Sequence, residues 1–184
     1  MTVTAPFVSD EAQRRPLPTG LLIGGRVVQG RAAPIPVTNP ATGEVFTEVS
    51  GASEADIDDA VRNAHDAFRN GTWRTMALHD RARLINRFAD GIDARMAELY
   101  RLETMNNGRP ITETKAQITR LSEWYRYNAA LLLADRTSVV PLRGDYHAYT
   151  SRFPLGVVAI LSSFNHPMMI ASKSLAPALA TTSS

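Results

Sequence analysis

The chain has 184 residues, of which 44% are apolar and 21% are charged, and its formal net charge is +2. These fractions are those of a globular protein, and a chain of this length can bury a core without cross-links. It contains no cysteine, which excludes disulfides, thiolate zinc sites and a cysteine nucleophile within these residues. The arginines are scattered rather than gathered with aromatic residues, so we expect no nucleic-acid partner.

The first stretch of the chain, residues 1–20, is polar and proline-bearing and shows no periodicity. We expect it to form a flexible N-terminal arm. It lacks the apolar core of a signal peptide, and no run approaches the roughly 20 apolar residues of a membrane helix. We therefore expect a cytoplasmic protein without a membrane partner.

The next elements are short strands followed by a helix. Two apolar runs flank Gly24-Gly25, which predicts a tight β-hairpin, and alternation over residues 45–49 predicts a strand. Ser53, with Asp56 three residues later, predicts a helix start, and Asn70-Gly71 predicts its end. The apolar stripe of this helix comprises Ile57, Val61, Ala64 and Phe68.

Two longer helices are predicted in the middle of the chain. The first spans about residues 80–105 and ends at Asn107-Gly108, and the second starts after Pro110. We expect Gly91 to weaken the continuity of the first helix. The expected buried residues of the first helix are Leu84, Ile85, Phe88, Ile92, Met96, Leu99 and Tyr100. Those of the second are Ile118, Leu121, Trp124, Tyr125 and Leu132.

The pattern becomes β-rich near the C-terminus. Residues 137–142 and 146–153 flank Arg143-Gly144-Asp145, which predicts a hairpin. Residues 157–161 are uniformly apolar, as in a central parallel strand buried on both faces. A loop and a helix that starts at Pro167, with a kink at Pro177, follow. A parallel strand needs parallel neighbours, so the architecture predicts an incomplete fold.

Few residues carry recognisable chemistry. Neither standard phosphate-binding glycine loop occurs, and the four histidines are isolated from one another, so we expect no metal site. The exception is the loop from Ser162 to Pro167, which follows the predicted parallel strand, where open α/β sheets bind ligands. The Asn165 amide could donate to a developing oxyanion. Alternatively, Asn165 satisfies its own turn before the helix.

Several motifs occur in an order that resembles a known family. They are Asn39-Pro40-Ala41-Thr42-Gly43-Glu44, the helix from Ser53 to Phe68, Trp73-Arg74, Glu103-Thr104-Met105-Asn106-Asn107-Gly108-Arg109-Pro110, Pro154-Leu155-Gly156-Val157-Val158, Phe164-Asn165-His166-Pro167 and Leu175-Ala176-Pro177-Ala178-Leu179-Ala180. Each motif is weak alone, but the collinear set is specific. Over about residues 21–180 the chain resembles the N-terminal part of the NAD(P)-dependent aldehyde dehydrogenases.

The resemblance implies an α/β fold that is incomplete. Residues 21–136 resemble the N-terminal part of a cofactor domain, with a β-hairpin and helices. Residues 137–153 resemble strands of an oligomerisation element. Residues 154–184 resemble the first strand and helix of a Rossmann-like parallel sheet, cut short. The resemblance also implies a homo-oligomer for the full-length family.

The resemblance also implies roles for the loop before the last helix. Asn165 matches the asparagine whose amide helps to hold the oxyanion of the thiohemiacetal intermediate. His166 falls where an aromatic residue often lines the aldehyde tunnel. The residues that match one wall of the NAD or NADP site are Leu161, Ser162, Ser163 and Phe164. Most of that cofactor site lies beyond this chain.

The family oxidises aldehydes to carboxylic acids with a cysteine nucleophile, and a glutamate activates water. This chain ends before both residues, and Ser174 and the tail from Thr181 to Ser184 depart from the family pattern. We therefore expect a truncated member that is inactive alone, marginally stable and prone to self-association. Alternatives are a split enzyme that pairs with a complementing chain, or a non-catalytic interaction module.

Overall fold

A computed structural model describes residues 17–134 and 136–181. The expected arm over residues 1–20 and the tail therefore lie largely outside the described residues. None of the described helices is both long and apolar enough to cross a membrane. In chain order, the described elements are β1 (Leu21–Ile23), β2 (Arg26–Val28), β3 (Ala32–Thr38), β4 (Val45–Gly51), α1 (Glu54–Asn70), α2 (Leu78–Ala94), α3 (Met96–Asn107), α4 (Ile111–Ile118), α5 (Leu121–Ala134), β5 (Val139–Val140), β6 (Ala148–Tyr149) and α6 (Pro167–Thr181).

The described strands form three separate antiparallel pairs: β1 with β2, β3 with β4, and β5 with β6. The hairpin at Gly24-Gly25 is confirmed, with φ angles of 60° and 73° that glycine adopts without strain. The strand over 45–49 is also confirmed, as part of β4. Its partner β3, which contains Pro36, was not predicted, and a register shift between Ala32 and Ile35 interrupts the pairing.

The core lies where α2, α5 and α6 pack together. Its buried residues are five alanines, an isoleucine, a leucine and a tyrosine, and they recur at helical spacing on the facing surfaces. They are Ala82, Ile85, Ala89, Tyr125, Ala129, Leu132, Ala176 and Ala180. The alanines allow the helix backbones to approach closely, and the Tyr125 hydroxyl lies 3.4 Å from the Ser172 hydroxyl across the α5–α6 contact. This packing fixes α6 on the other two helices.

Helix α1 begins and ends where its sequence predicts, but its apolar stripe is not buried. Ser53 caps the helix, and its side chain and that of Asp56 bond reciprocally to the two backbone N–H groups of a capping box. Gly71 terminates the helix. The side chains of Ile57 and Val61 are 55% and 48% exposed, although Val61 and Phe68 face residues 155–157 across a cleft. The stripe is therefore apolar but largely uncovered in the described chain.

Each of the two long predicted helices is divided into two. The first breaks at Arg95, whose φ and ψ of −111° and 12° separate α2 from α3, and not at Gly91, which lies inside α2. The second ends at Thr119 and resumes at Leu121. The predicted burial of Phe88 is also wrong, because that side chain is 48% exposed, although its ring contacts Tyr125 edge to face at 4.9 Å.

The C-terminal β region is much less regular than predicted. The hairpin around Gly144 is confirmed, but only two residues on each side pair. The predicted buried strand over residues 157–161 is wrong, since this segment has no strand pairing and Leu161 is 88% exposed. A parallel strand is held by neighbouring edges, and the described residues contain no strand beside this segment.

Helix α6 begins at Pro167 as predicted and continues through Pro177. Its C-terminal carbonyls are held by one residue from the segment between α1 and α2 and by one residue from the first turn of α2. The Trp73 indole donates to the Leu179 carbonyl at 3.2 Å, and the Arg81 guanidinium reaches the Ala180 carbonyl at 3.5 Å. Because α6 is anchored there and packed in the core, the loop before its first turn has a defined position.

Candidate active site

A cleft of about 290 Å³ lies beside the loop that precedes α6. The turn from Asn107 to Pro110 and Glu113 line one side, and Phe164 and Asn165 line the other. The turn follows α3, which ends at Gly108 in the left-handed conformation. The cleft therefore forms where the turn after α3 faces the loop before α6.

Asn165 is exposed at the edge of this cleft, and its side-chain amide is hydrogen-bonded through its oxygen only. Its Oδ1 accepts a hydrogen bond from the Ser163 hydroxyl at 2.6 Å. Its Nδ2 has no hydrogen-bond partner among residues 17–134 and 136–181. Asn165 thus makes one local hydrogen bond, through Oδ1. The carboxamide is oriented by Ser163 while its two N–H donors are free to bind an oxygen atom placed in the cleft.

The four residues before Asn165 form an uncovered surface. Leu161 and Phe164 are 88% and 90% exposed, and Ser162 and Ser163 are exposed between them. The Ser162 hydroxyl donates to the Pro167 carbonyl at 2.7 Å, which folds the loop against the start of α6. Apolar side chains and hydroxyl groups on an open surface fit one wall of a dinucleotide site, but they do not enclose one.

His166 is half-buried and contacts an arginine. Its Nε2 lies 2.8 Å from Nη2 of Arg109. Because a guanidinium can only donate, Nε2 accepts this hydrogen bond, and the proton of a neutral ring is on Nδ1. The structure therefore brings His166 together with Asn165 and Arg109.

Glu103 is a functional candidate that the sequence reasoning missed. It is 1% exposed, and its Oε2 accepts the backbone N–H of Met168 at 3.2 Å. Burial raises the pKa of Glu103, while the Met168 N–H and the nearby His166 and Arg109 oppose that rise. One signal was present, because Glu103 continues the spacing of the apolar stripe of Met96, Leu99 and Tyr100, where a carboxylate is unexpected.

A second cleft, of about 450 Å³, lies between α1 and residues 155–157. Val61, Phe68 and Leu155 give it an apolar lining, with His65 and Asp66 at its edge. Across the described parts of the chain, no three side chains of the types that ligate metals gather in one place. This cleft therefore offers apolar surface rather than a set of ligands.

Superposition on solved structures identifies the fold of this chain. The chain superposes with a TM-score of 0.85 on an aldehyde dehydrogenase variant from Bacillus cereus, with 34% identity over 90% of this chain and 34% of that one. It superposes with a TM-score of 0.86 on a Staphylococcus aureus betaine aldehyde dehydrogenase variant in complex with NAD⁺. That match has 28% identity and covers 92% of this chain and 35% of the other. The described architecture is thus the N-terminal region of an NAD-binding oxidoreductase fold.

The family follows from the sequence matches. Residues 27–184 match the model of the aldehyde dehydrogenase family. The chain is 38% identical over 163 residues to a Bacillus subtilis (strain 168) protein named as the aldehyde dehydrogenase DhaS, covering 88% of this chain and 33% of that protein. The chain belongs to the aldehyde dehydrogenase family, and it spans about a third of the length of the curated relatives it matches.

Proposed function

We propose that this chain contributes the oxyanion-binding side of an active site that oxidises an aldehyde to a carboxylic acid with NAD or NADP. The free Nδ2 of Asn165, exposed beside the cleft and oriented by Ser163, is the observation that carries the proposal. Membership of the aldehyde dehydrogenase family supports it. Similarity to enzymes solved with NAD supports the choice of cofactor.

The residues of this chain bind and orient the reactants. Asn165 donates to the aldehyde oxygen, which gains negative charge as a nucleophile attacks the carbonyl carbon. Leu161, Phe164 and the hydroxyls of Ser162 and Ser163 cover one face of the cofactor. The bound cofactor supplies a hydride acceptor. His166, held by Arg109, borders the path by which the aldehyde enters.

The nucleophile comes from outside these 184 residues, which contain no cysteine. These residues alone are inactive, because the cysteine and the glutamate that activates water lie outside them. Within the assembled cytoplasmic enzyme, residues 21–136 and 154–184 belong to the cofactor domain. Residues 137–153 join copies of the enzyme into a homo-oligomer.

Co-expression with the C-terminal two thirds of a relative tests this proposal. The partner is the part of the Bacillus subtilis relative that this chain does not cover, and cofactor reduction is followed at 340 nm with a panel of aldehydes. We expect activity only from the assembled pair, and a loss of about 10²–10³ in kcat for Asn165→Ala. Asn86→Ala, an exposed asparagine in α2, is the matched control. Activity of the chain alone, or an unchanged kcat for Asn165→Ala, contradicts the proposal.

A second function is favoured by the exposed apolar side chains of the β5–β6 region. Tyr146, Tyr149 and Val139 are 78%, 68% and 66% exposed. Such a surface suits a non-catalytic module that joins copies of a full-length relative. Size-exclusion chromatography of the chain mixed with that relative distinguishes the two functions. Mixed oligomers formed without any effect of Asn165→Ala on activity favour the module.

A further inference from the structure

The backbone of the loop that carries Asn165 is held by side chains of another helix and its turn. Glu103 lies in α3, and Asn107 and Arg109 lie at and just beyond its C-terminus. All three contact backbone atoms within residues 165–168. The side chain of Asn165 is left exposed beside the cleft.

Three hydrogen bonds make this attachment. The Glu103 carboxylate accepts the Met168 N–H at 3.2 Å. The Asn165 carbonyl accepts from Nη2 of Arg109 at 3.3 Å and from Nδ2 of Asn107 at 3.4 Å. The bonds bracket His166 and Pro167, so they fix both the end of the loop and the first turn of α6.

Electrostatics favour a carboxylate at this end of the helix. The first N–H groups of α6 have no intrahelical acceptors, and the helix dipole places partial positive charge there. Arg109 and His166 are the charged and titratable groups that face Glu103 from the neighbouring turn and loop. These interactions compensate part of the unfavourable burial of the carboxylate.

The compensation is incomplete, which is unusual for a group with only a packing role. Oε1 of Glu103 and Nε of Arg109 are buried without a hydrogen-bond partner among the described residues. An uncompensated buried charge destabilises a fold, and apolar replacements of such groups are often neutral or stabilising. Arg109 is partly exposed and pairs with Glu113 at 3.4 Å, so this cost falls on Glu103. The gain from burying Glu103 is therefore the position of the loop rather than stability.

We propose that Glu103 and Arg109 are positioning residues that hold the Asn165 amide at the cleft. This inference rests on the proposed oxyanion role of Asn165. Glu103 is outside the lining of the cleft, and Arg109 lines the cleft together with Asn165. They act through the backbone of residues 165–168, so removal of either one displaces the Asn165 donor without removing it.

The first test uses NMR on the full chain and needs no activity. We expect Glu103→Ala to lower the exchange protection of the Met168 amide about tenfold, the equilibrium equivalent of one hydrogen bond. It should also shift the side-chain amide resonances of Asn165. Glu103→Gln retains an acceptor oxygen and should restore both readouts. Glu123→Ala, at an exposed carboxylate in α5, should change neither.

Arg109→Met extends the test to the other contact, and it serves if Glu103→Ala fails to fold. It removes a donor from the Asn165 carbonyl and should shift the Asn165 amide resonances while Met168 stays protected. In the wild type, the Met168 amide shift should titrate with the Glu103 carboxyl, and Glu103→Gln should abolish that titration. Unchanged Asn165 resonances in Glu103→Ala and Arg109→Met, or a Met168 titration that persists in Glu103→Gln, overturn the proposal.

The second test uses the assembled pair of polypeptides. Glu103→Ala should lower kcat at least tenfold with an unchanged KM for the cofactor, and Glu103→Gln should recover most of it. Combined with Asn165→Ala, it should add no further loss, because both changes remove the same donor. Additive losses overturn the positioning role. If the assembled pair is inactive, the proposed function fails, whereas the NMR result still decides the positioning role.

Discussion

Arg81 is fully buried, and its guanidinium lies over the Trp73 ring and donates hydrogen bonds to carbonyl oxygens. Nη2 donates to Trp73 and Met76 at 3.0 and 3.2 Å, and Nη1 reaches Ala180 at 3.5 Å. Burial lowers the pKa of Arg81, but an arginine remains protonated at physiological pH. This side chain joins the start of α2 to the end of α6.

We predict that Arg81→Met destabilises the fold by about 3 kcal/mol, because it removes three hydrogen bonds from a charged donor to carbonyl oxygens. Urea unfolding followed by circular dichroism measures the effect. Arg83→Met is the matched control two positions later along α2, since Arg83 is 72% exposed and pairs with Asp80 at 2.9 Å. The control should change stability by less than about 0.5 kcal/mol. Equal effects of the two variants would contradict this account.

The raised pKa of Glu103 predicts how its contribution to folding stability depends on pH. Its pKa is raised in the folded state by burial, so the folded chain keeps a proton that the unfolded chain releases above about pH 4.3. Its contribution to stability therefore falls as pH rises from that value to the folded pKa, and is constant beyond it. We expect Glu103→Gln to gain stability relative to the wild type across this interval.

The measurement is the urea unfolding midpoint of the wild type and of Glu103→Gln between pH 4 and pH 7. The two midpoints are subtracted because groups other than Glu103 also make the stability of the fold depend on pH. Hydrogen bonds and nearby charges lower the pKa values of Asp56, Asp59 and Asp93, and those groups stabilise the fold above their unfolded pKa values. Glu123→Gln should show no such change relative to the wild type. A difference for Glu103→Gln that is independent of pH would refute the prediction.

The candidate site was only partly predictable at this scale. Asn165 could be identified because its chemistry and its place before a helix are local features of the sequence. The roles of Glu103 and Arg109 could not be identified in this way. Their contacts, to Met168 and Asn165, span 65 and 56 residues of sequence, and helical periodicity carries no information about such a distant partner.

At the scale of elements, Gly108 ends α3 in a conformation that other residues reach only with strain. Its φ is +75°, and a Cβ atom there would lie 2.7 Å from Cγ of Pro40. The proline ring cannot rotate away. Gly108 therefore has two roles. Its left-handed conformation ends α3, and its lack of a side chain lets α3 approach the turn after β3 closely.

We predict that Gly108→Ala destabilises the chain by more than the 1–2 kcal/mol or so expected from the left-handed conformation alone. Gly25→Ala separates the cost of the left-handed conformation from the cost of the contact with Pro40, because Gly25 has a φ of +73° and open space around it. Gly91→Ala, at an open position inside α2, should stabilise the chain by about 0.5–1 kcal/mol. Thermal unfolding of the three variants gives the order, and a Gly108→Ala effect no larger than that of Gly25→Ala would exclude the contact with Pro40.

Element ends that depend on local chemistry were predictable, whereas breaks and pairings that depend on packing were not. The capping box of Ser53 and Asp56 and the glycine turns act within a few residues, so they are visible in the sequence. The breaks at Arg95 and Thr119 contain neither glycine nor proline. Similarly, β3 is specified by pairing with β4 rather than by its own proline-containing sequence.

At the scale of the whole molecule, uniform apolarity over residues 157–161 predicted a buried strand. Burial requires a covering surface, and the described residues provide little of one: Leu161 is 88% exposed and Val158 is 49% exposed. The stripe of α1 is likewise covered only in part. Periodicity thus identifies which surfaces are apolar, while the elements that cover them are a property of the whole assembly.

This apolar surface is concentrated between Phe153 and Phe164. Phe153, Leu155, Leu161 and Phe164 are 82%, 98%, 88% and 90% exposed. Side chains of this size that remain in water favour association, at roughly 25 cal/mol for each Å² of apolar surface buried. We predict that the purified chain self-associates as its concentration rises, and that sedimentation velocity shows the shift in mass.

The double substitution Leu155→Lys with Leu161→Lys should return the chain toward a monomer, because it places two charges in the segment that contacts other copies. Both side chains are nearly fully exposed and contribute little to the core. Urea unfolding should therefore show little change in stability, which separates a surface effect from unfolding. Ser151→Lys adds a charge at an exposed polar position just outside the segment and should leave association unchanged. A wild-type chain that stays monomeric at every concentration would show that this segment does not drive association.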